Sequence, residues 1–93
     1  MKTELTEEQI AAYILQILKD RACWGSRYMP LDTIVNWLAK RVKKNGKRVK
    51  AVIKMLTKER YIWIHKKGET ISLNPTKSME IVEYIERIRE TSI

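Results

Sequence analysis

The change of apolar period near Arg60 constrains the fold more than any other feature of this chain. Before it, Val49, Val52, Ile53 and Leu56 fall at offsets of 0, 3, 4 and 7, one face of a helix running from about Lys47 to Arg60. After it, Tyr61-Ile62-Trp63-Ile64-His65 and Thr70-Ile71-Ser72-Leu73 alternate with period two around Lys66-Lys67-Gly68-Glu69, as a β-hairpin does. Whether the loop is Lys67-Gly68 or all four residues, Ile64 opposes Ile71 and Ile62 opposes Leu73. One hairpin face is then apolar, and the other, with Trp63, His65, Thr70 and Ser72, is mixed. The two periods together place the chain in the α+β class.

The remaining periodicities are helical. Thr6-Glu7-Glu8-Gln9 is a capping box, with Leu5 stapled onto Ile10, and Ile10, Ile14, Ile17 and Leu18 make a stripe that Ala11, Leu15 and Ala22 widen. This first helix runs to about Arg21, and Gly25-Ser26 is expected to end it. Tyr28-Met29-Pro30 reads as a short extended piece that can only be an edge strand, because Pro30 disfavours helix at Met29 and has no amide to donate. A second helix follows, with Asp32 near its start, Ile34, Leu38 and Val42 on one face, and Lys40, Arg41, Lys43 and Lys44 toward its end, where cations suit the helix dipole. Asn45-Gly46 is the expected stop. Asn74-Pro75 caps and opens a last helix to about Glu90, with Ile81, Tyr84, Ile85 and Ile88 at offsets of 0, 3, 4 and 7.

Charge is distributed unevenly along the 93 residues, whose net charge is +8. Residues 1–30 carry four bases and four acids, residues 31–68 carry twelve and two, and residues 69–93 carry three and five. The stretch KRVKKNGKRVKAVIK, residues 40–54, has eight bases and no acid. An excess confined to the middle third marks a face for an anionic partner, whereas a general solubility charge would be spread over the surface.

With these elements in order, the chain resembles a winged helix-turn-helix domain: three core helices, a short first strand and a two-stranded wing, here followed by an extra C-terminal amphipathic helix. The resemblance covers residues 6–73. Its most specific part is Val49, Ile53, Leu56, Tyr61 and Ile62, the spacing of a recognition helix running into the first wing strand, and the impression is of small archaeal transcriptional regulators. One position departs from the pattern: Arg60 stands where the family often has a glycine. It either takes a left-handed conformation at some cost, or the helix ends a residue earlier.

The resemblance implies double-stranded DNA as partner, with the exposed face of the recognition helix in the major groove and the wing on the backbone or in the minor groove. Carried onto this chain, the site is Lys47, Arg48, Lys50, Ala51 and Lys54 on the helix and Lys66 and Lys67 on the wing. Arg41, Lys43 and Lys44 of the preceding basic run extend it. The helix residues are also those left over once the apolar stripe is buried. Lysines act as point charges, while base reading draws on Arg, Asn and Gln forks, so binding is expected to be mostly electrostatic and weakly specific.

Other readings of the same residues point to simpler roles. Trp37 and Trp63 suit stacking on bases, but core use is expected, with Trp37 beside its helix stripe and Trp63 under the last helix. Cys23 alone forms no internal disulfide, and with His65 it leaves too few soft ligands for a transition metal, so it is read as a structural thiol. The glutamates fall on polar helix faces without a nucleophile and base to serve, and no Gly-rich phosphate loop is present, so neither an enzyme nor a cofactor or small-molecule ligand is expected.

The last helix either closes over its own domain or meets a second copy. We expect a homodimer through Ile81, Tyr84, Ile85 and Ile88. No signal peptide or apolar run long enough for a bilayer is seen, so the protein is expected in the cytoplasm. The rival functions are an acidic protein partner and RNA.

Overall fold

The computed structural model describes residues 6–39 and 45–91. They form four α-helices and a three-stranded antiparallel sheet: α1 (Glu7–Asp20), β1 (Met29–Pro30), α2 (Leu31–Ala39), α3 (Asn45–Lys58), β2 (Ile62–His65), β3 (Thr70–Leu73) and α4 (Ser78–Thr91). The strand order is β1-β3-β2. The register is the expected one, Ile62 opposite Leu73 and Ile64 opposite Ile71, with Lys66–Glu69 as the loop. As expected, the Met29-Pro30 strand lies at an edge, pairing with Ile71 and Thr70.

α1 starts with the expected capping box, Thr6 Oγ1 accepting from the Gln9 amide at 3.1 Å and Gln9 Oε1 from the Thr6 amide at 2.9 Å. The Leu5 staple lies outside the described residues. The end of α1 differs from expectation. The stop is Ala22, left-handed at φ 54°, where the amide of Ala22 bonds Lys19 O and that of Cys23 bonds Leu18 O, a Schellman closure made without glycine. Gly25 instead shapes the next turn at φ 60°, where its amide donates to Leu73 O.

Asn45-Gly46 also differs: these residues open α3 rather than stop α2. Residues 40–44, where the second helix was expected to continue, lie outside the described residues. At the other end α3 stops at Lys58, and Arg60 takes the left-handed conformation at φ 67°. Its amide bonds Thr57 O and the Tyr61 amide bonds Leu56 O, a second Schellman closure. Of the two expected alternatives, Arg60 thus takes the left-handed one, in a position that suits glycine.

One core unites these elements. Ile10, Ile14, Leu15 and Leu18 of α1 pack with Ile34 and Leu38 of α2, with the α3 stripe, with Ile62, Ile71 and Leu73 of the sheet, and with Ile81 and Ile85 of α4. The hairpin faces depart from the expected alternation. Every residue of β3 is buried, Thr70 and Ser72 included, because β3 is the central strand and segment 23–25 folds over its end. Ile64 is 44% exposed, since β2 runs past the core toward the loop.

The placement of α4 bears on two further expectations. It packs along α1 and lies over Tyr61, whose ring is 6.0 Å from that of Tyr84, so Trp63 is left 40% exposed. The stripe assigned to a second copy is used within the chain: Ile81, Ile85 and Ile88 are buried and Tyr84 is half-buried. Trp37 is likewise at the surface, with the Arg21 guanidinium 4.7 Å above its ring. No helix among the described residues is long and apolar enough to cross a membrane.

Candidate nucleic-acid interface

The two faces of α3 divide cleanly. Val49, Val52, Ile53 and Leu56 are buried, while Lys47, Lys50, Ala51, Lys54 and Lys58 are exposed. At 3.6 residues per turn the exposed set occupies an arc of about 100° centred opposite the buried stripe, and it extends about 16 Å along the helix. No acid lies in that set, and none lies in the first turn of α3. Arg48 is half-buried on the flank. The structure therefore brings Lys47, Lys50, Ala51 and Lys54 onto one surface, with Arg48 at its side.

The hairpin tip is a second basic surface. Lys66, Lys67 and Gly68 are all left-handed, at φ 50°, 57° and 94°. Such a turn suits glycine and asparagine, and each lysine there costs on the order of 1 kcal/mol. Both lysines are exposed. The Lys66 ammonium lies 5.1 Å from the centre of the Tyr28 ring, which stacks at 4.8 Å on His65. His65 is held in turn. The single hydroxyl hydrogen of Ser72 goes to Gly25 O at 2.8 Å, so Ser72 Oγ accepts from His65 Nε2–H at 2.9 Å. A chain of contacts thus fixes the tip to the segment before β1.

Arg41, Lys43 and Lys44 lie outside the described residues. Lys58 was missed as a site residue, although its offset of 11 from Lys47 continues the same face. Tyr28 was missed as well, and nothing local in the sequence marks a residue that meets the hairpin only through tertiary folding.

Chemically, the arrangement offers ammonium groups to anions and little else. Among the described residues no cluster of His, Cys, Asp and Glu could hold a metal ion. Cys23 is buried, with Sγ 3.7 Å from Arg21 O, and burial pushes its thiol up despite the cations of Arg21 and Arg27. Tyr84 is also pushed up, by burial first and then by the Glu8 carboxylate. Comparison of the chain with known protein families, with curated proteins and with solved structures finds no match.

Proposed function

We propose that the chain is a winged helix-turn-helix domain that binds double-stranded DNA, with α3 as recognition helix and the β2–β3 hairpin as wing, and that it serves transcriptional regulation. The observation that supports this best is the face of α3: four exposed lysines and no acid opposite a fully buried apolar stripe. Like charges so placed repel one another, which an anionic partner relieves. The wing lysines add to the argument, because they occupy left-handed positions that glycine would fill with less strain.

Lysine sets the character of the binding. Ammonium groups neutralise phosphates without reading bases, so the affinity is mostly electrostatic and weakly specific. With about six phosphates neutralised, log affinity falls against log salt with a slope on the order of −5. The single chain is taken as the binding unit, since the stripe of α4 that would join two copies is buried within one.

The test is fluorescence anisotropy of labelled duplex DNA, single-stranded DNA and duplex RNA at several salt concentrations. Duplex DNA is expected to bind with the steep salt slope. Lys50→Glu combined with Lys54→Glu is expected to abolish that binding with an unchanged circular dichroism spectrum. Unchanged affinity in that variant removes α3 from the interface, and preference for duplex RNA moves the function to RNA.

A further inference from the structure

Two tryptophans suit stacking on bases, and the fold treats them differently. The Trp37 ring is occupied by the Arg21 guanidinium at 4.7 Å. The Trp63 indole, 40% exposed, carries no ring or cation of the described residues. It borders an open groove between the end of α3 and β2. The groove's volume of about 590 Å³ falls within the range of roughly 300–1,000 Å³ for sites that hold one small molecule.

Most polar side chains of that groove are already engaged. Thr57 Oγ1 donates to Ile53 O at 2.8 Å, the Asn74 side chain donates to Arg60 O, and the His65 ring is bonded to Ser72 and stacked on Tyr28. What is left is the indole, the exposed Ile64 side chain and the Arg60 guanidinium, which makes no ion pair among the described residues. No carboxylate lines the groove. One aromatic surface and one cation match the two parts of a single nucleotide, the face of a base and a phosphate.

The groove is also continuous with the basic face of α3. Lys50, Lys54 and Thr57 are spaced i, i+4 and i+7, one row along the helix, in which the first two are exposed lysines and the third lines the groove. Thr57 lies about 4.5 Å beyond Lys54 along the axis, on the order of one nucleotide step. A strand with its phosphates on the lysines therefore leads into the groove. Within a duplex, neighbours cover both faces of a base and the grooves show only its edges, so an indole stacks only on a base outside the helix. We propose that this groove takes one unpaired base of a DNA strand, stacked on Trp63 with its phosphate on Arg60, and that the chain favours duplex DNA where a strand leaves the helix. This preference rests on the reading of α3 as a DNA-binding face and narrows its ligand to duplexes with an unpaired end.

The experiment measures, by fluorescence anisotropy, binding of the full chain to a blunt duplex and to duplexes of equal phosphate count that carry a four-thymidine tail, 3′ in one and 5′ in the other. One tailed duplex is expected to bind about tenfold tighter than the blunt one, the effect of one stacked base. The gain is expected to vanish when the tail is abasic, and Trp63→Leu is expected to bring the tailed duplex to blunt-duplex affinity. In the chain labelled with 15N, the Trp63 indole N–H resonance is expected to shift with the tailed duplex and not with the blunt one. A gain that survives in the abasic tail reports phosphates alone and overturns the proposal, as does a Trp63 resonance that stays still. If Trp63→Leu does not fold, the abasic comparison decides. Blunt and tailed duplexes bound equally would overturn the base site and leave the DNA-binding reading intact, whereas no binding of any duplex would overturn both.

Discussion

The side-chain amide of Asn74 donates to the carbonyl of Arg60 at 2.8 Å, joining the left-handed residue that ends α3 to the residue that opens the C-terminal helical segment. The same side chain accepts from the amide and the hydroxyl of Thr76 at 3.0 and 2.8 Å, and it is buried. Asn74→Ala strands all of these partners, and is expected to lose about 2–3 kcal/mol in urea denaturation. A loss below about 0.5 kcal/mol would mean that packing alone holds this junction.

Arg60 and Ala22 occupy the left-handed closing positions of α3 and α1. The conformation costs an ordinary residue about 1–2 kcal/mol, and the extra freedom that glycine brings to the unfolded chain offsets about 0.5–1 of it. Ala22→Gly and Arg60→Gly are each expected to raise stability by on the order of 0.5–1 kcal/mol, read as a higher denaturation midpoint. Destabilisation by Ala22→Gly, which loses almost no side chain, would contradict the backbone geometry described above.

The hairpin tip should show the opposite demands of stability and binding. Lys67→Gly is expected to stabilise by a similar increment, yet to weaken duplex DNA and lower the salt slope by about 0.9, the share of one phosphate. A variant both more stable and equal in binding would leave Lys67 outside the interface.

Ile85 lies in the core, 2% exposed. Ile85→Asp buries a carboxylate among apolar side chains, and is expected to destabilise by more than about 4 kcal/mol. The chain should lose its helical circular dichroism. A folded Ile85→Asp chain that merely sediments more slowly would restore the dimer through α4.

Burial raises the pKa of the Cys23 thiol, which lowers its thiolate fraction at neutral pH. Labelling by a disulfide reagent is expected to be much slower than for a free thiol in native buffer, and to accelerate in urea. Native-state labelling at the free-thiol rate would show that segment 21–25 opens readily.

What the sequence revealed and what it concealed divide along the range of the interactions. The stripe of α3 and the hairpin register rest on local periods, 3.6 and 2, and the structure matches both. Chain punctuation misled, because Gly25 and Asn45-Gly46 carry the usual stop signals while the left-handed closures fall on Ala22 and Arg60, residues with no such signature. Thr70 and Ser72 alternate like an exposed face and are buried, because the pairing of β1 and the crossing of segment 23–25 are long-range events. The α4 stripe has the same period whether α1 or a second copy covers it, so only tertiary placement separates the two. Within the site, Lys47, Lys50 and Lys54 were legible as leftovers of the stripe. The grip of Tyr28 on Lys66 was not.

The pairing of α1 with α4 also sets a clock. A ribosome makes α1 before α4, and the cover that α4 provides arrives only after roughly 60 more residues, at about 5–20 residues per second. For on the order of 3–12 s, Ile10, Ile14 and Leu18 emerge without part of their final neighbourhood, an interval in which chaperones compete with folding. Codons that slow elongation between α1 and α4 would lengthen that exposure and lower the yield of folded chain without altering a single residue of it.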